Sequence, residues 1–127
     1  MSNARVLVVD DEAIVRESIR DWLIFSGYEV EIAENGEEAL SKMEKEDFNV
    51  LLLDVRLPGE SGMNILARSR VIQPDIKSII LTAYPSEDTI AEAKKLGAVD
   101  YLIKPLVPDE LERIIRGALL PPPEEGS

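Results

Sequence analysis

The stretch Val6-Leu7-Val8-Val9-Asp10-Asp11-Glu12 is four apolar residues closed by three acids. Such a run is too short for a buried helix and suits a strand covered on both faces. The same figure recurs along the chain. Val50 to Leu53 leads into Asp54, Ile79 to Leu81 into Thr82, and Tyr101 to Ile103 into Lys104. These runs are read as strands buried on both faces, whereas Tyr28 to Ile32 alternates and predicts a sheet edge with one wet face.

Between the runs the period becomes helical. Val15, Ile19, Trp22 and Leu23 make one apolar stripe, with Trp22 in the core and Gly27 as the stop. Asn35 and Glu38 have capping-box spacing ahead of Ala39, Leu40 and Met43. A weaker pattern spans Gly62 to Ile72. Ser86 is placed to cap a helix carrying Ile90, Ala93 and Leu96 and ending at Gly97, and Pro108 opens a last one with Leu111, Ile114, Ile115 and Ala118. Strand and helix alternate throughout. The fold class is therefore α/β: a five-stranded, doubly wound parallel sheet with five helices, joined by right-handed crossovers.

In such a sheet the residues following each run share the carboxyl edge, where doubly wound folds bind ligands. Asp10, Asp11, Asp54, Thr82 and Lys104 then meet in one crevice although they span most of the chain. Three carboxylates and one ammonium leave a local charge of about −2, which a divalent ion would cancel. Mg²⁺ suits an oxygen-only donor set and keeps waters that a phosphate can displace. A cation, an ammonium and a hydroxyl around one carboxylate are what a transferring phosphoryl group needs.

Composition narrows the chemistry further. The 127 residues contain no histidine and no cysteine, which excludes His-dependent nucleophile systems, ordinary zinc sites, thiol redox chemistry and disulfides. The absence of cysteine fits a reducing, cytoplasmic compartment. A net charge of −11 argues against direct nucleic-acid binding, and no apolar run is long enough for a membrane span. Eight acids against Lys42 and Lys45 between Glu29 and Asp47 read as a solvated flank.

Five blocks in order, VLVVDDE (Val6 to Glu12), LLLDVRLPGESG (Leu51 to Gly62), ILTAY (Ile80 to Tyr84), KKLGAVDYLIKP (Lys94 to Pro105) and DEL (Asp109 to Leu111), resemble the receiver domain of two-component response regulators. The resemblance implies the flavodoxin-like strand order 2-1-3-4-5, with residues 1–120 as the receiver domain and 121–127 as a Pro-rich linker or tail. It implies that Asp54 is the phosphoacceptor and that Asp10, Asp11, Asp54 and the backbone carbonyl of Arg56 hold Mg²⁺. Lys104 corresponds to the lysine that pairs with the phosphate, Thr82 to the hydroxyl that moves on activation, and Tyr101 to the aromatic switch. The Lys104-Pro105 bond is expected to be cis. The Arg56 side chain is placed to tune phosphate lifetime.

The partners implied are a sensor histidine kinase or phosphotransfer protein, because this chain cannot supply the phosphohistidine, and an output domain or partner protein. A finer similarity points to receivers of nitrogen-regulation-type transcriptional activators, with a single-domain regulator as the alternative. A phosphorylation-dependent homodimer through the fourth-helix to fifth-helix face is the other association considered. Two competing functions fit less well. A haloacid-dehalogenase-type phosphatase wants a second Asp where Arg56 stands and a cap domain for which there are no residues. A degenerate docking module would have shed some of the matched positions, and all are intact.

Overall fold

The computed structural model describes residues 3–57 and 59–120. The linker assigned to 121–127 lies outside them. Five strands, β1 (Arg5–Val9), β2 (Glu29–Ala33), β3 (Val50–Asp54), β6 (Lys77–Thr82) and β7 (Ala98–Ile103), form one sheet in the order β2-β1-β3-β6-β7. All four pairings are parallel. Counting only these long strands, the order is the anticipated 2-1-3-4-5. The short strands β4 (Arg56–Leu57) and β5 (Glu60–Ser61) make a separate antiparallel pair between β3 and the third helix.

Period-2 alternation sorts the sheet's side chains into two layers. Leu7, Val9, Leu51, Leu53 and Ile80 face helices α2 (Gly36–Lys45), α3 (Gly62–Ile72) and α4 (Glu87–Lys95), meeting Leu40, Met43, Ile65, Leu66 and Ala93. Val6, Val8, Val50, Leu52, Ile79 and Leu81 face α1 (Ala13–Phe25) and α5 (Pro108–Leu119), meeting Ile19, Leu23, Leu111 and Ile115. Burying each such side chain contributes about 1.5–3 kcal/mol, so the two layers dominate the fold's stability. Trp22 is half-buried against the second layer.

Local signals end the elements where the spacing predicts. The Asn35 side chain accepts from Glu38 N at 2.8 Å and that of Ser86 from Thr89 N at 3.1 Å, each satisfying a helix donor that has no partner within the helix. Gly27 and Gly97 follow α1 and α4 with φ of 97° and 106°, a conformation that a Cβ disfavours.

One strand departs from its reading. The pattern of Tyr101 to Ile103 predicts a strand covered on both faces, yet β7 is the second edge of the sheet, with Val99 46% and Ile103 48% exposed. A short apolar run does not distinguish a central strand from an edge strand whose outer side chains meet water.

Candidate functional site

The strands deliver the site at their carboxyl ends. Asp10 immediately follows β1, Asp54 and Thr82 are the last residues of β3 and β6, and Lys104 follows β7. The ladder is tight there: Val55 N donates to Leu81 O at 3.1 Å, and Lys104 N donates to Thr82 O at 2.8 Å. Asp10, Asp54 and Thr82 are 0%, 5% and 2% exposed. Polar groups buried this deeply need partners.

Lys104 supplies the main one. Its Nζ donates to Asp54 Oδ2 at 2.9 Å and lies 2.7 Å from Asp10 Oδ2, with Glu12 Oε1 at 3.7 Å. The approach to Asp10 is an ion contact without hydrogen-bond alignment, so Asp10 Oδ2 has no aligned donor. Asp10 Oδ1 accepts from Glu12 N at 2.9 Å, and Asp54 Oδ1 accepts from Arg56 N at 2.9 Å. Burial pushes the Asp54 carboxyl up; the Arg56 N–H and Lys104 oppose this, Asp10 adds to it, and the pKa remains raised. For Lys104 burial acts downward, but contact with two carboxylates outweighs it and the pKa rises above the ordinary lysine value. One lysine thus serves two buried acids.

Asp11 is exposed and is not among the acids in contact with Lys104. It groups instead with Asp10 and Glu12, whose carboxylate oxygens all lie within 4.8 Å of one another. Three hard oxygen donors, one of them on a buried carboxylate with an unaligned oxygen, fit a divalent ion such as Mg²⁺. Asp54 is not a member of that group and is tied to it through Lys104. Sequence reasoning does not single out Glu12, although it is the third acid of the opening stretch.

The remaining site residues sit around this core. Thr82 Oγ1 accepts from Tyr84 N at 3.1 Å. Tyr101 pairs with Ile80 in the β6–β7 register and packs, half-buried, against the α2–α3–α4 layer. The Lys104-Pro105 bond is cis. The exposed Arg56 side chain lies over Tyr84, with Cζ 4.8 Å from the ring centroid. Three supports are not legible in the sequence. Arg16 Nη1 donates to Asp10 O at 2.8 Å, the β4–β5 pair braces the segment after Asp54, and Gly62 lies against the Asp54-Val55 backbone. A Cβ on Gly62 would stand 2.6 Å from Val55 Cα and 2.7 Å from Asp54 O.

The fold and site define a doubly wound α/β domain that gathers acids and one lysine at its switch edge. Residues 6–116 match the family model described as the response regulator receiver domain, and the chain belongs to that family. It is similar to sporulation initiation phosphotransferase F of Bacillus subtilis, 38% identical over 116 residues, covering 91% of this chain and 94% of the relative. It is also similar to the alginate biosynthesis transcriptional regulatory protein AlgB of Pseudomonas aeruginosa, 38% identical over 107 residues, covering 84% of this chain but only 24% of the relative. A solved response regulator of Burkholderia pseudomallei, bearing a phosphorylated aspartic acid, a calcium ion and citrate, superposes with a TM-score of 0.82 at 33% identity, covering 87% of this chain and 65% of that one. Among the described residues no helix is long and apolar enough to cross a membrane.

Proposed function

We propose that this receiver is a phosphoacceptor switch in which Asp54 takes a phosphoryl group from the phosphohistidine of a sensor kinase or phosphotransfer protein. The observation that carries the reading is the Lys104 ammonium held between Asp10 and Asp54, 2.7 and 2.9 Å away. A carboxylate oxygen of Asp54 attacks phosphorus, the new O–P bond forms as the P–N bond breaks, and the imidazole nitrogen keeps the electron pair. Asp54 must be ionised to attack, and Lys104 with the Arg56 N–H opposes the effect of its burial. After transfer Lys104 is placed to pair with a phosphoryl oxygen, and the Thr82 hydroxyl is a buried donor on the same edge.

Asp10 and Asp11, which group with Glu12, would hold Mg²⁺, joined by Asp54, which shares Lys104 with Asp10, and by the Arg56 carbonyl. The ion supplies neutralisation of the phosphoryl oxygens. The phosphorylated aspartic acid and metal ion in the Burkholderia relative support this assignment.

Thr82 then leaves Tyr84 N for the phosphoryl group, and Tyr101 relays the change to the α4–β7–α5 face. Exposed Val99 and Ile103 on that face support its use by an output domain, a partner protein or a second copy of the chain. AlgB supports a transcriptional output within a longer protein, and the match to phosphotransferase F supports a free-standing relay.

Incubation with Mg²⁺ and acetyl phosphate, followed by intact mass, tests the proposal. We expect one added phosphoryl group, absent in Asp54→Asn and absent with EDTA. An unmodified mass for the parent protein would favour a docking module, and multiple turnover of an unrelated phosphomonoester would favour a phosphatase.

A further inference from the structure

The segments that follow Asp54 and Thr82 are built alike. Two residues beyond each strand end a backbone N–H turns back to the side chain it follows: Arg56 N to Asp54 Oδ1 at 2.9 Å, and Tyr84 N to Thr82 Oγ1 at 3.1 Å. The two side chains carried by those amides then meet, the guanidinium 4.8 Å from the Tyr84 ring centroid. Arg56 has no carboxylate partner among the described residues, and Tyr84 is 69% exposed. The segment after Asp54 is also held by the β4–β5 pair and by Val55 N on Leu81 O, so the stack adds a side-chain link from that braced segment to Tyr84, at the start of the β6–α4 connection.

We propose that Arg56 and Tyr84 form a latch: the stack holds the β6–α4 segment in place before phosphorylation, and the guanidinium moves from the ring to the phosphoryl group once Asp54 carries one. This rests on Asp54 being the acceptor and adds a regulated positioning residue to it. An exposed cation–π contact is weak, whereas a guanidinium–phosphate pair is charge-assisted and matched in geometry. Exchange is therefore favoured only in the phosphorylated state. Tyr84 has two tethers, its ring under Arg56 and its N–H on Thr82, and both partners are drawn toward the same new group. Releasing one without the other leaves the segment held.

Competition gives the two side chains opposite effects. Removing the Tyr84 ring weakens only the unphosphorylated state, while removing Arg56 loses the weak stack in that state and the stronger phosphate pair in the other, a net weakening of the phosphorylated state. The test is a titration of the full chain with beryllofluoride, a tetrahedral phosphoryl mimic, in Mg²⁺, followed by the Val55 amide and Arg56 Nε–H resonances. Arg56→Gln should bind roughly tenfold more weakly, the effect of removing one charge-assisted hydrogen bond. Tyr84→Ala should bind about two- to fivefold more tightly, and Tyr84→Phe, which keeps the ring, should match the parent. In the parent the Arg56 Nε–H should leave its ring-shifted position as Val55 shifts. A Val55 shift with an unmoved Arg56 resonance, or equal-signed effects of the Arg56→Gln and Tyr84→Ala variants, would overturn the latch and leave Asp54 as acceptor. No Val55 shift in the parent would overturn both.

Discussion

Asp54 and Lys104 are bound to each other but respond to burial with different outcomes. Because the Asp54 pKa is raised on folding, its contribution to stability is fully present below the ordinary carboxylate value and is lost as pH rises through the folded value. At neutral pH its ionisation therefore costs stability. Asp54→Asn should melt at a higher temperature than the parent at pH 7 in EDTA, and the difference should close on acidification; a constant difference across that range would refute the burial argument. Lys104 has the opposite standing. Its raised pKa contributes stability throughout the neutral range that is lost only as alkaline pH passes through the folded value. Lys104→Met leaves two buried carboxylates without their cation and should cost about 3 kcal/mol in EDTA by chemical denaturation. Added Mg²⁺ should restore part of that stability, because a second cation then faces the same acids.

Placement of those two residues depends on elements, and here Gly62 matters most. It opens α3 directly against the end of β3, and the atoms its Cβ would meet are backbone atoms of Asp54 and Val55 rather than yielding side chains. Gly62→Ala should cost about 1–3 kcal/mol by overpacking and slow phosphorylation from acetyl phosphate on the order of tenfold by displacing the acceptor. A parent-like rate with full occupancy would show that Asp54 tolerates the shift. The same elements show what can be read from sequence. The apolar runs identify the strands, and the residues after them name Asp10, Asp54, Thr82 and Lys104, because strand ends in a parallel sheet share an edge. The β4–β5 pair is invisible to that reading because two-residue strands have no periodicity. Arg16 on the Asp10 carbonyl, Arg56 over Tyr84 and Gly62 under Asp54 all depend on where one loop lies relative to another, which spacing does not encode. The exposure of β7 is equally hidden, because an edge strand with apolar residues looks like a central one.

Across the whole molecule the excess negative charge separates into two parts. The acids from Glu29 to Asp47 lie on β2, α2 and their flanking segments, mostly exposed, with ion pairs such as Lys42 to Glu31 at 3.1 Å and Arg5 to Glu46 at 2.7 Å. Exposed pairs of this kind contribute about 0–1 kcal/mol each and act mainly on solubility and encounter. The acids at the sheet's carboxyl edge are different, because Asp10 and Asp54 are buried and converge on one lysine. Under the proposed function, these 127 residues contain no histidine and so do not themselves supply the phosphohistidine. The decisive measurement is the position of the phosphoryl group. Acetyl phosphate and Mg²⁺ should load the protein, borohydride should reduce the acyl phosphate to homoserine, and peptide sequencing by mass should locate that homoserine at position 54 alone. Homoserine at position 10 or 11, or its absence from a protein that has gained a phosphoryl group, would contradict Asp54 as the acceptor.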